Sequence, residues 1–569
     1  MAGNDFGFVG QAYEAPDPYQ DSQRLINWYV EMSGDGRSKT ATALLGCPGL
    51  NPIIELDAGA VRGSWVLPGG TQAIYVSGDT VYAVTMTVPP TQNAIAQFST
   101  AVVGTLNTNS GQVRIRDNGA GGYAMLVDGL NGYYYRIAGA GSTTFTGTPI
   151  SGDADMAYSG QLNTALVVGS AISGTGIAVG ATIVSINTSV GTITMSAVAT
   201  SSPGATTISV TLAAFGEITD PGFEPPSHIA FIDGWLIVNR IGSQSFATSS
   251  PVPYTMIFDP LFFALKDSSS DDLMGLQELN RELWLVGERA SEIWFNAGGA
   301  NFAFQRIPGA APPIGTSAPQ TIAQAGDSLV WLGRNIQGEN VVIQTQQYSW
   351  KRISQHGVEK AISSYPLVSD AFGYAYEEQG HLFYVLTFPT ADVTWAWDSN
   401  STWHQRLSYD ANTGQFHRHR SNCFANFQNL RLVGDYQSGQ IHQMSRTYFT
   451  DAGEPLVALR RCPHVWSPED RKRVFLSALQ IEFAPGVGLQ TGQGVDPQAM
   501  LRWSNDGAAS FGNEHWAGIG KAGRTKNRAI WRRLGEARDR VFEVRLSDPV
   551  YRDIVGATLF KLPSETGGM

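Results

Sequence analysis

The sequence predicts a mainly β protein: a seven-bladed β-propeller, an inserted small β-sandwich, and a β platform domain drawn from both chain ends. Three observations carry that prediction. Gly 63 and Pro 28 among 569 residues, with 11% aromatic and 15% charged residues, favour short strands and tight turns over long helices. Seven segments repeat one layout, in which two or three short apolar runs are separated by Gly, Asp or Asn turns. The character of the chain also changes near residues 151 and 455. A chain this long exceeds one hydrophobic core, and its predicted divisions follow these changes. They are 1–58 (N-terminal hairpin of the platform), 59–150 (first blades), 151–215 (inserted module), 216–454 (remaining blades) and 455–569 (C-terminal platform).

The first element is DSQRLINWYVE, residues 21–31. Read at period two, Ile26, Trp28, Val30 and Met32 share one face and Leu25, Asn27, Tyr29 and Glu31 the other, which describes a strand with one dry side. The glycine turn SGDGRS follows, then ATALLGCPGL, where Pro48 and Gly49 halt regular structure. Together they predict a β-hairpin.

The repeated segments begin at residues 61, 111, 227, 271, 319, 364 and 423. Their spacing is 44–59 residues apart from one gap of 116, which an insertion of about 65 residues returns to about 50. Such a period, with several strands per repeat, is that of propeller blades, because a four-stranded blade buries its faces only against its neighbours. A series of unrelated β-meanders has similar turn spacing and is the plainer alternative. The insertion, residues 151–213, is nearly free of charge, and its alternating ATIVSI and GTITMS read as short strands of a module projecting from the propeller.

After residue 455, ALQIEFAP, AMLRWSNDG, AIWRRLG and RVFEVRLSDPV read as strands that alternate apolar residues with Arg, Glu or Ser. Ten basic and five acidic residues lie between 516 and 553. Such a run either protects an edge strand from aggregation or makes an electrostatic contact with an acidic neighbour.

The net charge of −11 is uneven: residues 451–569 hold 17 Lys+Arg against 14 Asp+Glu, and residues 1–450 hold 21 against 35. An acidic body argues against gripping nucleic acid by counterion release, though not against letting it pass. Cys47, Cys423 and Cys462 are far apart and form neither a disulfide framework nor a zinc ribbon. No signal sequence or membrane-length apolar run is evident. GxSxG, HExxH and P-loop patterns are absent, and neither GTGIAVG nor GIGKAG has phosphate-loop spacing. His417, His419, Cys423 and His442 lie close in sequence, but strand histidines are more often structural than metal ligands. Glu377 and Glu378 are adjacent, which on a strand sends them to opposite faces. We therefore expect no catalytic site, no metal and no cofactor. SNDGAASF, residues 504–511, resembles a degenerate Asp-box in which Asp506 ties a turn; it bears on fold, not catalysis.

Arg24, Asn27, Tyr29 and Glu31, followed by Leu44, Leu45, Pro48, Gly49 and Leu50, resemble the N-terminal signature of the packaged-DNA stabilisation, or tail hub (nozzle), proteins of short-tailed bacteriophages. LRWSNDG at 501, IGKAG at 519, IWRRLGEARDRVFEVRLSDPV at 530 and IVGA at 554 are similar to the end of the same family. The resemblance implies a structural virion protein of the tail, assembled in the host cytoplasm as a homo-oligomer, a sixfold ring below the portal and its adaptor ring. It implies that the ring extends the DNA channel, retains the packaged genome and carries the tail needle and fibres or spikes. Double-stranded DNA would pass without specific binding, and the host envelope would be contacted only indirectly. Arg24, Asn27, Tyr29, Glu31, Pro48, Gly49, Trp503, Asp506, Trp531, Arg532, Arg533 and Arg538 are then expected at the assembly interface.

The alternative is a glycan-binding or glycan-cleaving propeller, an adhesin or depolymerase. Its support is the Asp-box remnant and the aromatic residues Tyr374, Tyr376, Trp395, Trp397 and Trp403, if these are exposed to stack on sugar rings.

Overall fold

The computed structural model describes residues 3–4, 6–33, 40–57, 59–91, 95–119, 122–163, 166–188, 190–251, 256–299, 302–400, 402–468 and 471–561. The predicted turn SGDGRS falls largely outside them.

Each repeated segment forms an antiparallel sheet in which consecutive strands are neighbours. Among the described residues there are seven, with first strands at Val61–Val66, Arg114–Asp117, Ile229–Ile232, Leu273–Leu279, Ala323–Ala325, Phe372–Glu378 and Ser421–Phe427. Tight turns at Asp233-Gly234, Asn280-Arg281, Gln379-Gly380 and Gln428-Asn429 place residues at positive φ, the conformation that two-residue hairpin loops require. Neighbouring sheets touch in succession, the fourth meeting the fifth through Pro319–Thr321 and Gly315–Thr316, and Ser421–Phe427 returns to Val61–Val66, so the sheets close into a propeller. Between the sixth and seventh, the Tyr374 ring stacks on Phe424 at 5.4 Å and its hydroxyl donates to Ser421 Oγ at 2.8 Å.

Two strands come from unexpected places. Gly49–Glu55 pairs antiparallel with Gln440–Ser445, so a segment assigned from sequence to the platform hairpin supplies the outer strand of the seventh sheet. The seventh segment has three apolar runs of its own, and the N-terminal strand completes it. In the second sheet the outer strand is Phe215–Glu217, which pairs with Gly132–Arg136 from across the inserted module.

That module is one six-stranded sheet running from Gly141 to Leu212. Its first and last strands in spatial order meet through Gly169 N donating to Ile183 O at 2.8 Å and Ile172 N to Ala181 O at 2.9 Å. The curled sheet encloses an apolar core around Met156, Ile193 and Ile208. Its first strand, GSTTFTGT, precedes the composition change at residue 151 by ten positions because it still carries the Thr-rich pattern of the module.

The platform is a β-sandwich. One layer is ordered Trp28–Met32, Thr42–Gly46, Ile554–Lys561, Val474–Phe483, Ala529–Ala537. The other runs Arg24–Ile26, Ala458–Arg461, Asp539–Leu546, Gln498–Ser504, His515–Gly518. Trp28, Val30, Leu44, Leu479, Ile481, Leu501, Phe542 and Leu559 pack between them. Full burial of each large side chain contributes on the order of 1.5–3 kcal/mol. The second layer does not end at Arg24–Ile26. That strand also pairs, parallel, with Trp403–Gln405 of the sixth propeller sheet, through Ile26 and Gln405. A ten-stranded sheet therefore runs without a break from propeller to platform.

Candidate assembly interface

The opening segment DSQRLINWYVE is not one amphipathic strand. Asn27 adopts φ +55°, which ends Arg24–Ile26 in one sandwich layer and starts Trp28–Met32 in the other. Asparagine tolerates this left-handed conformation better than most residues. Its groups are all used: Nδ2 donates to Leu407 O and Val457 O at 2.7 Å each, Oδ1 accepts from Leu407 N at 3.1 Å, and the backbone N–H donates to Gln405 O at 2.9 Å. The switch breaks the predicted period. Ile26 joins the core of the sixth propeller sheet, Leu25, Trp28 and Val30 join the sandwich core, and Met32 faces solvent.

The other N-terminal residues expected at the assembly interface lie around the same joint, within the chain. Arg24 Nε donates to Gln405 Oε1 at 2.8 Å. The buried Tyr29 ring meets the edges of His381 and Phe383, each at 5.1 Å, and burial holds its phenol well above its ordinary pKa. Glu31 Oε2 lies 2.5 Å from His381 Nε2, whose Nδ1 is 2.8 Å from Asp398. The Pro48 carbonyl accepts from buried Arg406 at 3.0 Å. At Gly49 an added Cβ would lie 2.4 Å from Tyr448 O, so only glycine fits. These residues fasten propeller to platform inside one subunit. Asn27, Tyr29, Pro48 and Gly49 are buried and present no side chain to a neighbouring copy.

The C-terminal block meets them from the other side. Trp28 Nε1 donates to Arg552 O at 3.0 Å, and Gly46 N to Asp553 Oδ1 at 2.8 Å. Asp553 also pairs with Arg446 at 2.8 Å. On the outer face of the second layer, opposite the core residues Phe542 and Val544, buried Glu543 is paired with Arg502 at 2.5 Å, Arg461 at 2.9 Å and Arg545 at 3.3 Å. Burial alone would raise its carboxyl pKa; the three guanidiniums reverse this and hold it below the ordinary value. Trp531 is buried with Nε1 donating to His515 O at 2.7 Å, and Trp503 stacks on His515 at 4.6 Å. Asp506 accepts from Ser504 Oγ at 2.5 Å and Ser510 N at 3.0 Å, a local turn lock that lowers its pKa to about 2.

Of the expected interface set, Asp506, Arg532, Arg533 and Arg538 are exposed. Strand Ala529–Ala537 is the edge of its layer, and Arg532 and Arg533 border an open trough of about 780 Å³ with Arg528. Phe475, Ala478, Ile530 and Phe560 form its floor, and no carboxylate lines it. Among the described residues none of the three arginines has an acidic partner within ion-pair distance.

The propeller axis is filled rather than open. Residues from the first strands surround a cavity of about 350 Å³. Arg116 spans it, paired with Glu278 at 2.6 Å and lying 4.2 Å over Trp65. Arg114 donates to Gln320 Oε1 at 2.8 Å, and burial lowers its pKa to about 10. A cavity of that volume has no room for a duplex, whose major groove alone is about 12 Å wide.

Residues singled out for chemistry have structural partners. His417 is 2.6 Å from Asp392, His419 is 3.0 Å from Arg406, and His442 is 3.2 Å from Asp435. Among the described residues no group of three or more His, Cys, Asp or Glu is placed to hold a metal ion. Glu378 is buried and Glu377 exposed, on opposite faces as their adjacency requires. Tyr374, Tyr376, Trp395, Trp397 and Trp403 are only 2–9% exposed, so the aromatic surface needed for sugar stacking is blade core.

Two sequence-family models match the chain. The β-propeller of bacteriophage P22 Gp10 covers residues 124–449, more than half of the chain, and its β-sandwich covers 462–559. No curated protein matches. Similar solved structures include a streptogramin B lyase (7% identity, 74% of this chain and 98% of that one, TM-score 0.37). The Neurospora crassa Pan2 WD40 domain (6%, 68% and 89%, 0.34) and the N-terminal domain of Nup159 (9%, 74% and 99%, 0.35) are others. Likeness at that level carries no argument about this chain.

Proposed function

Because the chain belongs to the bacteriophage P22 Gp10 family, a family of phage structural proteins, we infer that it forms the tail hub, or nozzle, ring of a short-tailed virion. In this reading copies of a seven-bladed subunit surround the DNA path beneath the portal and adaptor, retain the packaged genome and carry the tail needle and fibres or spikes. The observation that carries it is the ten-stranded sheet shared by propeller and platform. A subunit that must transmit load between a pressurised head and tail attachments needs its parts fixed to one another, and continuous strand pairing does this without a hinge. The narrow propeller axis supports a DNA path through the centre of the ring, outside each propeller. An acidic body is suited to line it, repelling phosphate so that DNA slides. The role is structural rather than enzymatic.

The test is a phage unable to make this chain. Its heads are expected to fill with DNA and then lose it, so that nuclease-protected DNA in purified particles falls steeply while packaging in extracts continues. Particles that stay full without the protein would refute the retaining role.

A further inference from the structure

The outer edge of the third propeller sheet is opposite in character to the platform trough. Among the described residues its last strand, Phe263–Leu265, pairs only with Ser245–Thr248, which leaves one backbone edge without a strand partner. Leu261, Phe263 and Leu265 alternate outward and are 78%, 42% and 52% exposed. A free, apolar edge strand is a liability that soluble proteins normally blunt or cover. Acid brackets it: Asp259 precedes the row, Asp267 follows it, and exposed Asp272 lies beyond. Asp267 pairs with Arg306 at 2.6 Å, and Arg240, 5.0 Å over the Phe263 ring, faces Glu224 at 3.3 Å. Those four charges cancel in pairs, which leaves Asp259 and Asp272 in excess. The trough has the complementary form, with its apolar floor and three arginines that have no acidic partner among the described residues.

We propose that strand Phe263–Leu265 of one copy docks in the platform trough of the next copy, beside Ala529–Ala537. This rests on the ring reading and specifies the contact that builds it. Alternating Leu261, Phe263 and Leu265 fill the floor, which removes exposed apolar surface from both copies. The arginine row against the acid-flanked strand sets partner and direction, since the wrong orientation brings like charges together. The two surfaces differ, so the contact is heterologous and propagates head to tail, closing when the rotation permits.

The test measures particle mass of the full-length chain by light scattering. R528E/R532E/R533E reverses the trough, and D259K/D272K reverses the acid beside the strand while leaving its apolar row intact. Either alone is expected to reduce the assembly to the mass of one chain with circular dichroism unchanged, and both in one chain to restore the wild-type mass. Wild-type assembly of either single-surface variant, or no restoration in the combination, overturns the pairing while leaving the ring intact. A wild-type chain that stays single at high concentration overturns the ring and the pairing together. Should the triple reversal disturb folding, R532E alone replaces it, with partial dissociation expected and an unchanged mass contradicting the proposal.

Discussion

At the scale of residues, Asn27 ties propeller to platform, and Glu543 ties neighbouring strands within the platform. Asn27 supplies a left-handed turn and three side-chain hydrogen bonds reaching both propeller and platform. Each such bond contributes about 1 kcal/mol, and a residue less suited to that conformation costs a further 1–2. Asn27→Ala should therefore lower unfolding free energy by about 3–5 kcal/mol in urea melts, whereas Asn27→Gly, which restores the backbone, should recover roughly 1 of these. Glu543 is a buried carboxylate shared by three half-buried arginines, so removing its charge leaves them crowded together without a counter-charge. Glu543→Gln should cost about 3–5 kcal/mol in the same measurement. Its depressed folded-state pKa makes that contribution fully present above the ordinary carboxyl value near pH 4.5, and lost as pH falls through the folded value. A neutral effect of either substitution would contradict the assigned role.

At the scale of elements, the strands that repeat locally were legible and the ones that travel were not. The seven segments and the four C-terminal strands were readable because their apolar alternation and turns lie in consecutive residues, as in Glu282–Gly287 or Asp539–Leu546. Gly49–Glu55 carries no mark that its partner is Gln440–Ser445 nearly four hundred residues away, beyond the missing fourth run of the last segment. The break at Asn27 was hidden for another reason. Leu25 to Val30 are buried on both sides, so no polar face reveals where the period slips. The interface set divides along the same line. Its N-terminal residues serve an internal joint, while Arg532 and Arg533, on an edge strand, remain available outside. An element-level prediction follows: removing residues 1–48 takes strands from both sandwich layers and cuts the bridge to the sixth sheet. The truncated chain should lose its single cooperative thermal transition; an unchanged transition would show that the joint is dispensable.

At the scale of the whole molecule, the propeller carries an acid sensitivity spread around its ring. Burial holds His228 and His404 neutral, with pKa values lowered to about 3, and His419 also lies well below the ordinary value. The unfolded chain takes up these protons near pH 6.5 and the folded chain does not, so stability is full above that pH and falls as pH drops toward 3. Each histidine contributes a slope of up to about 1.4 kcal/mol per pH unit. Urea midpoints should decline steadily from pH 6.5 to 4.5; a flat profile would contradict neutral burial. The proposed role makes the propeller, fixed to its platform through a shared sheet, a ring subunit around the DNA path. Electron microscopy of virions containing this protein tests it most directly. The account predicts a closed ring of copies coaxial with the portal, with DNA density through the ring and none through any propeller; isolated copies elsewhere on the particle, or DNA threading a propeller, would contradict it.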